Sequence, residues 1–280
     1  MLTSLVGSEM CIRDSNITLK NVSDGVLSNV LTELLVIPVN KKILASPEFK
    51  ELDKKSNGYI SRSIKDSISP SNQNHLISSL GGVKAKKILL INDLNEKDDI
   101  YLWLNKYKYI AKIANSIGCK NLAVLDGQNY PKGKDKFWFL ETISRSIESG
   151  AYIFSTTKNK TAKTEKIGKD IISSQVSLRN VTIITAKLSS SDTKKAKIAV
   201  ARGFSVGEGV NTAKHLGDLP ANHATPKLIE KIVKNTVKNY SGLKVKSLNE
   251  KDLARLKMGS YLSVSKGSDC LLYTSPSPRD

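Results

Sequence analysis

Histidine and cysteine are the side chains of this 280-residue sequence best suited to binding a metal or acting as a nucleophile. The histidines are His75, His215 and His223, and the last two flank a predicted turn, too far apart to share one helical face. No HExxH or paired-cysteine motif is present, so polar loop histidines are the favoured interpretation. Cys119 lies between a predicted helix and a predicted buried strand, which is typical of a structural thiol and not of a nucleophile.

Motifs for other chemistries are also missing from the sequence. There is no GxSxG nucleophile turn and no GxxxxGK phosphate loop followed by Ser or Thr. Gly207 and Gly209 resemble the start of a dinucleotide fingerprint, but the third glycine is lacking and no predicted strand precedes them. The lysine clusters at 132–134 and 158–169 have no interleaved aromatic residues on which bases would stack. Residue types and spacing alone therefore indicate no catalytic, cofactor-binding or metal-binding residue.

The two ends of the sequence carry the signature of one DNA segment read on both strands. One reverse translation of residues 270–280 (CLLYTSPSPRD) gives a DNA string whose complementary strand encodes residues 4–15 (SLVGSEMCIRDS). This relation is typical of a sequencing adapter on both sides of a DNA fragment. We therefore expect residues 1–15 and 270–280 to be adapter-derived and to make almost no packed contacts, and the natural protein to extend beyond both ends.

The composition is that of a folded protein with a basic surface. Hydrophobic residues make up 39% and charged residues 25% of the chain, which excludes collagen-like, disulfide-rich and disordered classes. No apolar run approaches the ~18 residues of a membrane span. Of the 44 basic residues, seven are Arg and 37 are Lys; residues 16–269 hold 42 basic and 23 acidic residues, a net charge of +19. Dispersed lysines are typical of a solvated surface, since arginine is favoured for phosphate recognition.

Strand-like and helix-like segments alternate along the first two thirds of the chain, which is typical of an α/β domain. Apolar, β-branched runs predict strands at 17–22, 32–39, 87–93, 121–126 and 181–186. Apolar residues at helical spacing predict helices at 47–65, 98–117 and 136–154, with Ser46 and Pro47 at the start of the first. The residues expected to face inward from the second and third helices are Tyr101, Leu104, Tyr107, Ile110 and Ile113, then Phe139, Ile143 and Ile147.

The remainder of the chain has a different pattern. A polar segment, 155–175, predicts an exposed connection, and one long helix follows at 193–216. The small residues Ala199, Gly203, Gly207 and Val210 form a stripe on this helix that lets another helix approach closely. After a turn-rich segment, the pattern predicts a helix from 225 to 240, a strand at 243–247, a short helix at 249–256 and a strand at 261–264.

Two strings in this last part resemble the leucyl (cytosol) aminopeptidase family. Residues 207–226 (GEGVNTAKHLGDLPANHATP) resemble the helix and turn at the entrance to that family's catalytic domain. Residues 256–268 (LKMGSYLSVSKGS) are similar to the family string Leu-Gly-Met-Gly-x-x-Leu-x-Val-x-x-Gly-Ser. Upstream, residues 52–61 are similar to the first helix of bacterial members, and Phe137-Trp138 also fits. Asp218 and Lys266 depart from the family, where Asn and Gln are common at these positions.

The resemblance implies a two-domain α/β enzyme of which this chain is the N-terminal half. It implies a macro-like mixed-sheet domain at 16–188, a linker helix at 189–216, and the truncated start of a zinc-peptidase-like catalytic domain at 217–269. The family is a cytoplasmic homo-hexamer that uses two divalent metal ions, manganese or zinc, to remove N-terminal residues from peptides. Its metal ligands and its catalytic Lys and Arg lie in or after a Val-Gly-Lys-Gly-x-x-Phe-Asp-x-Gly-Gly string that has no match here. The fragment is therefore expected to hold no metal and no catalytic residue, and to be inactive.

A nucleotide- or DNA-binding macro-like module is the alternative interpretation. It is favoured by the net charge of +19 for residues 16–269, which hold 42 basic and 23 acidic residues. An arginine-rich face or a phosphate-cradling glycine loop would support it. Gly81 and Gly82 form the only adjacent glycine pair in the sequence, and they are expected to form a turn before the strand at Lys87.

Because the excess charge is dispersed and mostly lysine, we predict only weak, sequence-independent DNA binding. Its affinity should fall steeply as salt rises, since such binding is driven by release of counterions from DNA. Fluorescence anisotropy with two unrelated duplexes at two salt concentrations measures both properties. Tight, salt-resistant binding to one duplex would contradict the prediction and favour the binding-module interpretation.

Overall fold

The structure is a computed structural model that describes residues 16–22, 26–67, 74–154, 178–238 and 242–266. The chain divides into two compact units, with the division between Ala213 and Lys214. The expectations for the adapter-like ends and for the polar segment 155–175 concern residues outside the described ones. Among the described residues, no helix has both the length and the apolar character needed to cross a membrane.

A six-stranded mixed sheet forms the centre of the first unit. Its strands are β1 (Asn16–Asn21), β2 (Leu34–Val39), β3 (Asn74–Ser78), β4 (Lys87–Asn92), β5 (Asn121–Leu125) and β6 (Asn180–Thr185). They lie in the order β1-β6-β5-β2-β4-β3. All neighbouring pairs are parallel except β3 with β4, which is antiparallel. The predicted mixed-sheet α/β fold is therefore confirmed.

The central strands are apolar throughout because both faces of the sheet are covered. Along β2, Leu34 and Val36 belong to one buried cluster, while Leu35 and Ile37 belong to the other. Each cluster lies on one face, as the alternation of side chains along a strand requires. Five strands at the predicted positions are therefore present, each within two residues of the predicted start.

Ten helices are present among the described residues, and those of the first unit cover the sheet. They are α1 (Val26–Asn29), α2 (Lys41–Ala45), α3 (Pro47–Lys55), α4 (Tyr59–Ser67), α5 (Ile100–Ser116), α6 (Lys136–Gly150), α7 (Ser190–Asp218), α8 (Pro226–Lys238), α9 (Glu250–Arg255) and α10 (Gly259–Lys266). The Phe139 ring of α6 packs edge-on against Trp103 and Tyr107 of α5, with ring centroids 5.5 and 5.6 Å apart. Such aromatic contacts add to the free energy gained by burying the rings.

The predicted helix at 47–65 is wrong in one respect, because it is two helices. It begins as predicted: the Ser46 hydroxyl accepts a hydrogen bond from the Phe49 N–H, and Pro47 occupies the first turn. Asn57 and Gly58 then have positive φ values of 53° and 73°, which end α3 before α4 begins. Asparagine and glycine tolerate this left-handed conformation best, so the local sequence favours the break.

The inward face of α5 also differs from the prediction. Tyr107 and Ile110 are buried as expected, but Tyr101 is 73% exposed and Trp103 is fully buried in its place. The apolar residues of this helix extend around more than one face, so periodicity alone does not select the buried one. On α6, the expected Phe139, Ile143 and Ile147 are all buried.

One strand of the sheet, β3, was not predicted from the pattern of apolar residues. Strand β3 lies at the edge of the sheet and is only partly buried, so it lacks a strong apolar signal.

The two strands predicted in the second unit are absent. Residues 243–247 form no strand, and 261–264 lie within helix α10. A strand needs a neighbour to satisfy its backbone groups, and the described residues of the second unit contain no other strand to provide one. A helix satisfies these groups internally.

The small-residue stripe of α7 packs against α6 within the first unit. A Cβ atom added at Gly203 would lie 2.2 Å from the Glu141 carbonyl oxygen, and one added at Gly207 would lie 2.6 Å from the Glu148 Cβ. The fourth member of the stripe is not buried: Val210 is 37% exposed, and Asn211 is buried in its place. The predicted close helix contact is therefore present, with a polar residue at its end.

Replacing Gly203 with Ala should lower the free energy of unfolding by about 1–3 kcal/mol, because the new methyl group overlaps the α6 backbone. The matched control is Gly209→Ala on the same helix, where an added Cβ meets no atom within 4 Å. Alanine has the higher helix propensity, so this control should raise stability by up to about 1 kcal/mol. Urea unfolding followed by circular dichroism measures both changes. Equal effects of the two substitutions would contradict the described helix contact.

Candidate functional site

Three polar residues meet at the carboxyl-terminal edge of the sheet. Asn40 follows β2, Asp93 follows β4, and Asp126 follows β5. These strands are adjacent and parallel, in the order β5-β2-β4, so their carboxyl ends lie side by side. Open parallel sheets bind their ligands at this edge. A binding site is therefore expected at this edge.

Asn40 links the loops that follow the three strands. Its side-chain oxygen accepts a hydrogen bond from the Ile43 N–H at 2.8 Å and so caps α2. Its amide nitrogen donates to Asp93 Oδ2 at 2.5 Å and to the Gly127 carbonyl at 2.7 Å. A Cβ atom at Gly127 would lie 3.0 Å from Asp93 Oδ2, so glycine lets the β5 loop approach. One amide side chain thus satisfies groups from three segments.

A buried ion pair lies next to Asn40. Lys106 Nζ of α5 is 3.4 Å from Asp93 Oδ1, and the two side chains are only 9% and 5% exposed. Lys106 also donates to the Asn92 carbonyl at 2.6 Å. Burial lowers the pKa of Lys106, and the attraction of Asp93 partly opposes this shift. Removing both charges of such a pair from water costs free energy that offsets much of their Coulombic attraction. The additional hydrogen bonds to Asn40 and to the Asn92 carbonyl help to compensate for this cost.

Asp126 is the most strongly perturbed carboxyl group of this edge. Only 4% of the residue is exposed. Its two oxygens accept hydrogen bonds from the Gln128 N–H at 2.9 Å and from the Tyr130 hydroxyl at 3.0 Å. Burial raises the pKa of Asp126 to about 6, against the opposing effect of these two hydrogen bonds and of Lys136. The pKa of this carboxyl group therefore lies well above that of an ordinary aspartate.

A cavity of about 300 Å³ opens beside Asp126. It is lined by Asp126, Gln128, Tyr130, Lys136, Leu140, Thr185, Ala186, Lys187 and Leu188. Lys136 lies 2.5 Å from Asp192, whereas Lys187 is exposed and forms no hydrogen bond or ion pair with the described residues. The cavity therefore combines a buried acid, a lysine without a described partner, and apolar side chains. A larger depression of about 490 Å³ lies across the start of β5 and β6, and its described lining includes one cation, Lys20.

The residues considered in the sequence analysis lie elsewhere. His75 is on the edge strand β3, His215 and Asp218 are near the end of α7, and His223 is in the turn before α8. Cys119 is buried, and its thiol contacts the Asn121 carbonyl at 3.1 Å. Burial raises the pKa of this thiol to about 12, so it is protonated at neutral pH and suits the predicted structural role. Within the described ranges, no three His, Cys, Asp or Glu residues lie together as metal ligands.

Sequence reasoning missed the polar edge, although its signal was present. The strings KILLIND and NLAVLD each end a buried apolar run with an aspartate, and IPVN ends another with an asparagine. A polar residue directly after a buried parallel strand faces the edge where ligands bind. What the strings do not contain is the strand order, which determines that these three ends are neighbours.

Comparison with known proteins shows that the chain is similar in sequence to cytosol aminopeptidases. The family model described as the catalytic domain of the cytosol aminopeptidase family matches residues 211–275. A probable cytosol aminopeptidase of Nitrosococcus oceani is 27% identical over 252 residues, covering 89% of this chain and 48% of the relative. One of Aromatoleum aromaticum is 32% identical over 194 residues, covering 69% of this chain and 36% of the relative.

The fold agrees with these matches. A point mutant of tomato leucine aminopeptidase superposes with a TM-score of 0.60 and 19% identity, over 89% of this chain and 48% of that chain. The class is thus an α/β protein with the fold of part of a leucine aminopeptidase. The chain is a relative of the cytosol aminopeptidases, and the resemblance predicted from its sequence is confirmed. The chain spans about half the length of the curated relatives that match most of its residues. For the Nitrosococcus protein this share is 48%.

The pKa of Asp126 predicts how its ionisation affects stability. The folded chain keeps this proton up to pH of about 6, whereas an unfolded aspartate loses it near a pH of about 3.9. As pH rises between these values, the aspartate ionises only in the unfolded chain, which lowers the free energy of unfolding by up to about 1.4 kcal/mol per pH unit. Relative to Asp126→Asn, the wild-type chain should lose roughly 2 kcal/mol of unfolding free energy from pH 4 to pH 6.

Urea unfolding at several pH values tests this difference. Asp66→Asn removes an exposed carboxylate and serves as the matched control, whose pH dependence should parallel that of the wild type. A constant stability difference between the wild type and Asp126→Asn across this pH range would show that Asp126 does not hold its proton in the folded chain.

Proposed function

We propose that this chain is the N-terminal half of a metal-dependent leucyl aminopeptidase that removes N-terminal residues from peptides. The observation that carries the proposal is the match of residues 211–275 to the catalytic-domain model of the family. The similarity of the chain to aminopeptidases over 89% of its length supports it. The whole enzyme is cytoplasmic, acts on peptides with a free N-terminus, and assembles as a homo-hexamer.

In this proposal the domains keep the boundaries expected from the sequence. Residues 16–188 form the macro-like N-terminal domain, 189–216 the linker helix, and 217–269 the start of the catalytic domain. The first of these contains the six-stranded sheet, and helix α7 occupies Ser190–Asp218. Residues 1–15 and 270–280 are adapter-derived.

The metal chemistry belongs to the remaining part of the enzyme. Two divalent ions, manganese or zinc, would activate a water molecule and polarise the scissile carbonyl. The described residues of this chain offer no cluster of three metal-ligating side chains, so they do not fit such a centre. Asp126 and Asp93 are buried carboxylates of the first unit, but no third His, Cys, Asp or Glu side chain of the described residues lies with them as a metal ligand. We therefore assign no catalytic residue to this chain, and we propose that it is inactive alone.

Activity assays on two proteins test the proposal. The purified 280-residue chain should release no leucine from a leucyl peptide with added manganese or zinc. The chain extended through its natural reading frame should do so. Replacing the lysine of the Val-Gly-Lys-Gly string in the extended chain should abolish turnover again, because that lysine is a metal ligand of the family. Metal-dependent turnover by the 280-residue chain would overturn the proposed position of the site.

A further inference from the structure

The cavity at the carboxyl edge of the sheet lies wholly within the first unit and has no role in the proposed peptidase reaction. Its most buried ionisable residue is Asp126, which is 4% exposed. A carboxylate has about four acceptor positions, and Gln128 and Tyr130 occupy two of them. The remaining acceptor capacity is available to a donor that enters the cavity. A cationic donor is favoured most, since an uncompensated buried charge is unstable.

Lys187 provides a charge of the opposite sign on the lining of the same cavity. It follows β6, the strand that pairs with β5, and Asp126 follows β5 directly. Lys187 has no hydrogen-bonding or ionic partner among the described residues, whereas Lys136 is already paired with Asp192. Among the described lining residues, the cavity therefore offers an anion-binding side chain, Lys187, and a cation-binding side chain, Asp126.

The apolar part of the wall and the volume of the cavity further restrict which ligand can bind. Leu140 and Leu188 give the cavity an apolar part. Its volume of about 300 Å³ is at the lower end of the range of about 300–1,000 Å³ typical of small-molecule sites. A small zwitterion with an apolar side chain matches all three properties. A phosphate group matches less well, because it would approach a buried carboxylate and the described part of the lining contains no arginine.

We propose that this cavity binds a free α-amino acid with an apolar side chain. Its α-ammonium group donates to Asp126, its α-carboxylate pairs with Lys187, and its side chain packs against Leu140 and Leu188. Charge-assisted hydrogen bonds of both signs then replace the hydration of the ligand. The inference rests on the first unit alone and does not depend on the peptidase proposal.

The charged and titratable groups around Asp126 predict how binding varies with pH. Tyr130 donates to it, Lys136 stabilises its charge, and Asp93 and Tyr107 are near enough to interact electrostatically with it. Burial sets the pKa of Asp126 near 6, so the carboxylate is ionised at pH 8 and mostly protonated at pH 5. Affinity for the ammonium group should therefore fall roughly tenfold for each pH unit below 6.

Calorimetric titration of the full 280-residue chain with L-leucine at pH 8 tests the proposal. We expect one saturable site per chain. Lys187→Ala and Asp126→Asn should each weaken binding roughly tenfold or more, the effect of losing one charge-assisted hydrogen bond. The matched control is Lys20→Ala, which removes an exposed lysine from the larger depression and should leave the affinity unchanged.

Ligand analogues test the same contacts without changing the protein. N-acetyl-leucine lacks the ammonium group and leucinamide lacks the carboxylate, so both should bind the wild-type chain at least about tenfold more weakly than leucine. The proposal is overturned if leucine gives no saturable heat, or if Lys187→Ala binds it as well as the wild type. Binding of inorganic phosphate or AMP in place of leucine would overturn it in favour of an anion site.

Discussion

A parallel sheet buried on both faces is the constraint on which the rest of this structure depends. Strands β2, β4 and β5 expose almost no surface, so helices must cover both sides. This requirement explains the continuous apolar strings of these strands and the two separate buried clusters, one on each face. It also explains why α6 packs Phe139 between Trp103 and Tyr107, since a covering helix must itself be held in place.

The same constraint concentrates polar groups at one edge. Parallel strands end together, and the residues that follow them must satisfy their hydrogen bonds with little access to water. Asn40 meets this requirement with three contacts, while Asp93 and Lys106 meet it as a buried pair. Asp126 is the exception, because its hydrogen bonds do not fully offset its burial and its pKa rises to about 6. A cavity with a perturbed carboxyl group is where binding is expected in an open α/β sheet.

The part of the chain that matches the family model is not the part that contains the sheet. The family model covers residues 211–275, mostly in the second unit, whose described part is helical and largely exposed. The sheet domain carries the polar edge but not the family's catalytic-domain match. Several apolar residues of the second unit, such as Ile229, Val233 and Leu243, are exposed, whereas the core residues of the first unit are buried.

Strong local patterns in the sequence were enough to determine the α/β class, five of the six strands, the positions of α5, α6 and α7, and the structural role of Cys119. These features depend on runs of apolar residues, on caps such as Ser46, and on small residues at helical spacing, all of which act over a few residues. The family resemblance was likewise present in residues 207–226 and 256–268. Only the tertiary structure decided the strand order, the edge strand β3, the buried face of α5 and the helical state of residues 261–264. Each depends on which segments become neighbours, and so does the pKa of Asp126, which is raised by burial and also by Asp93, a residue of another loop.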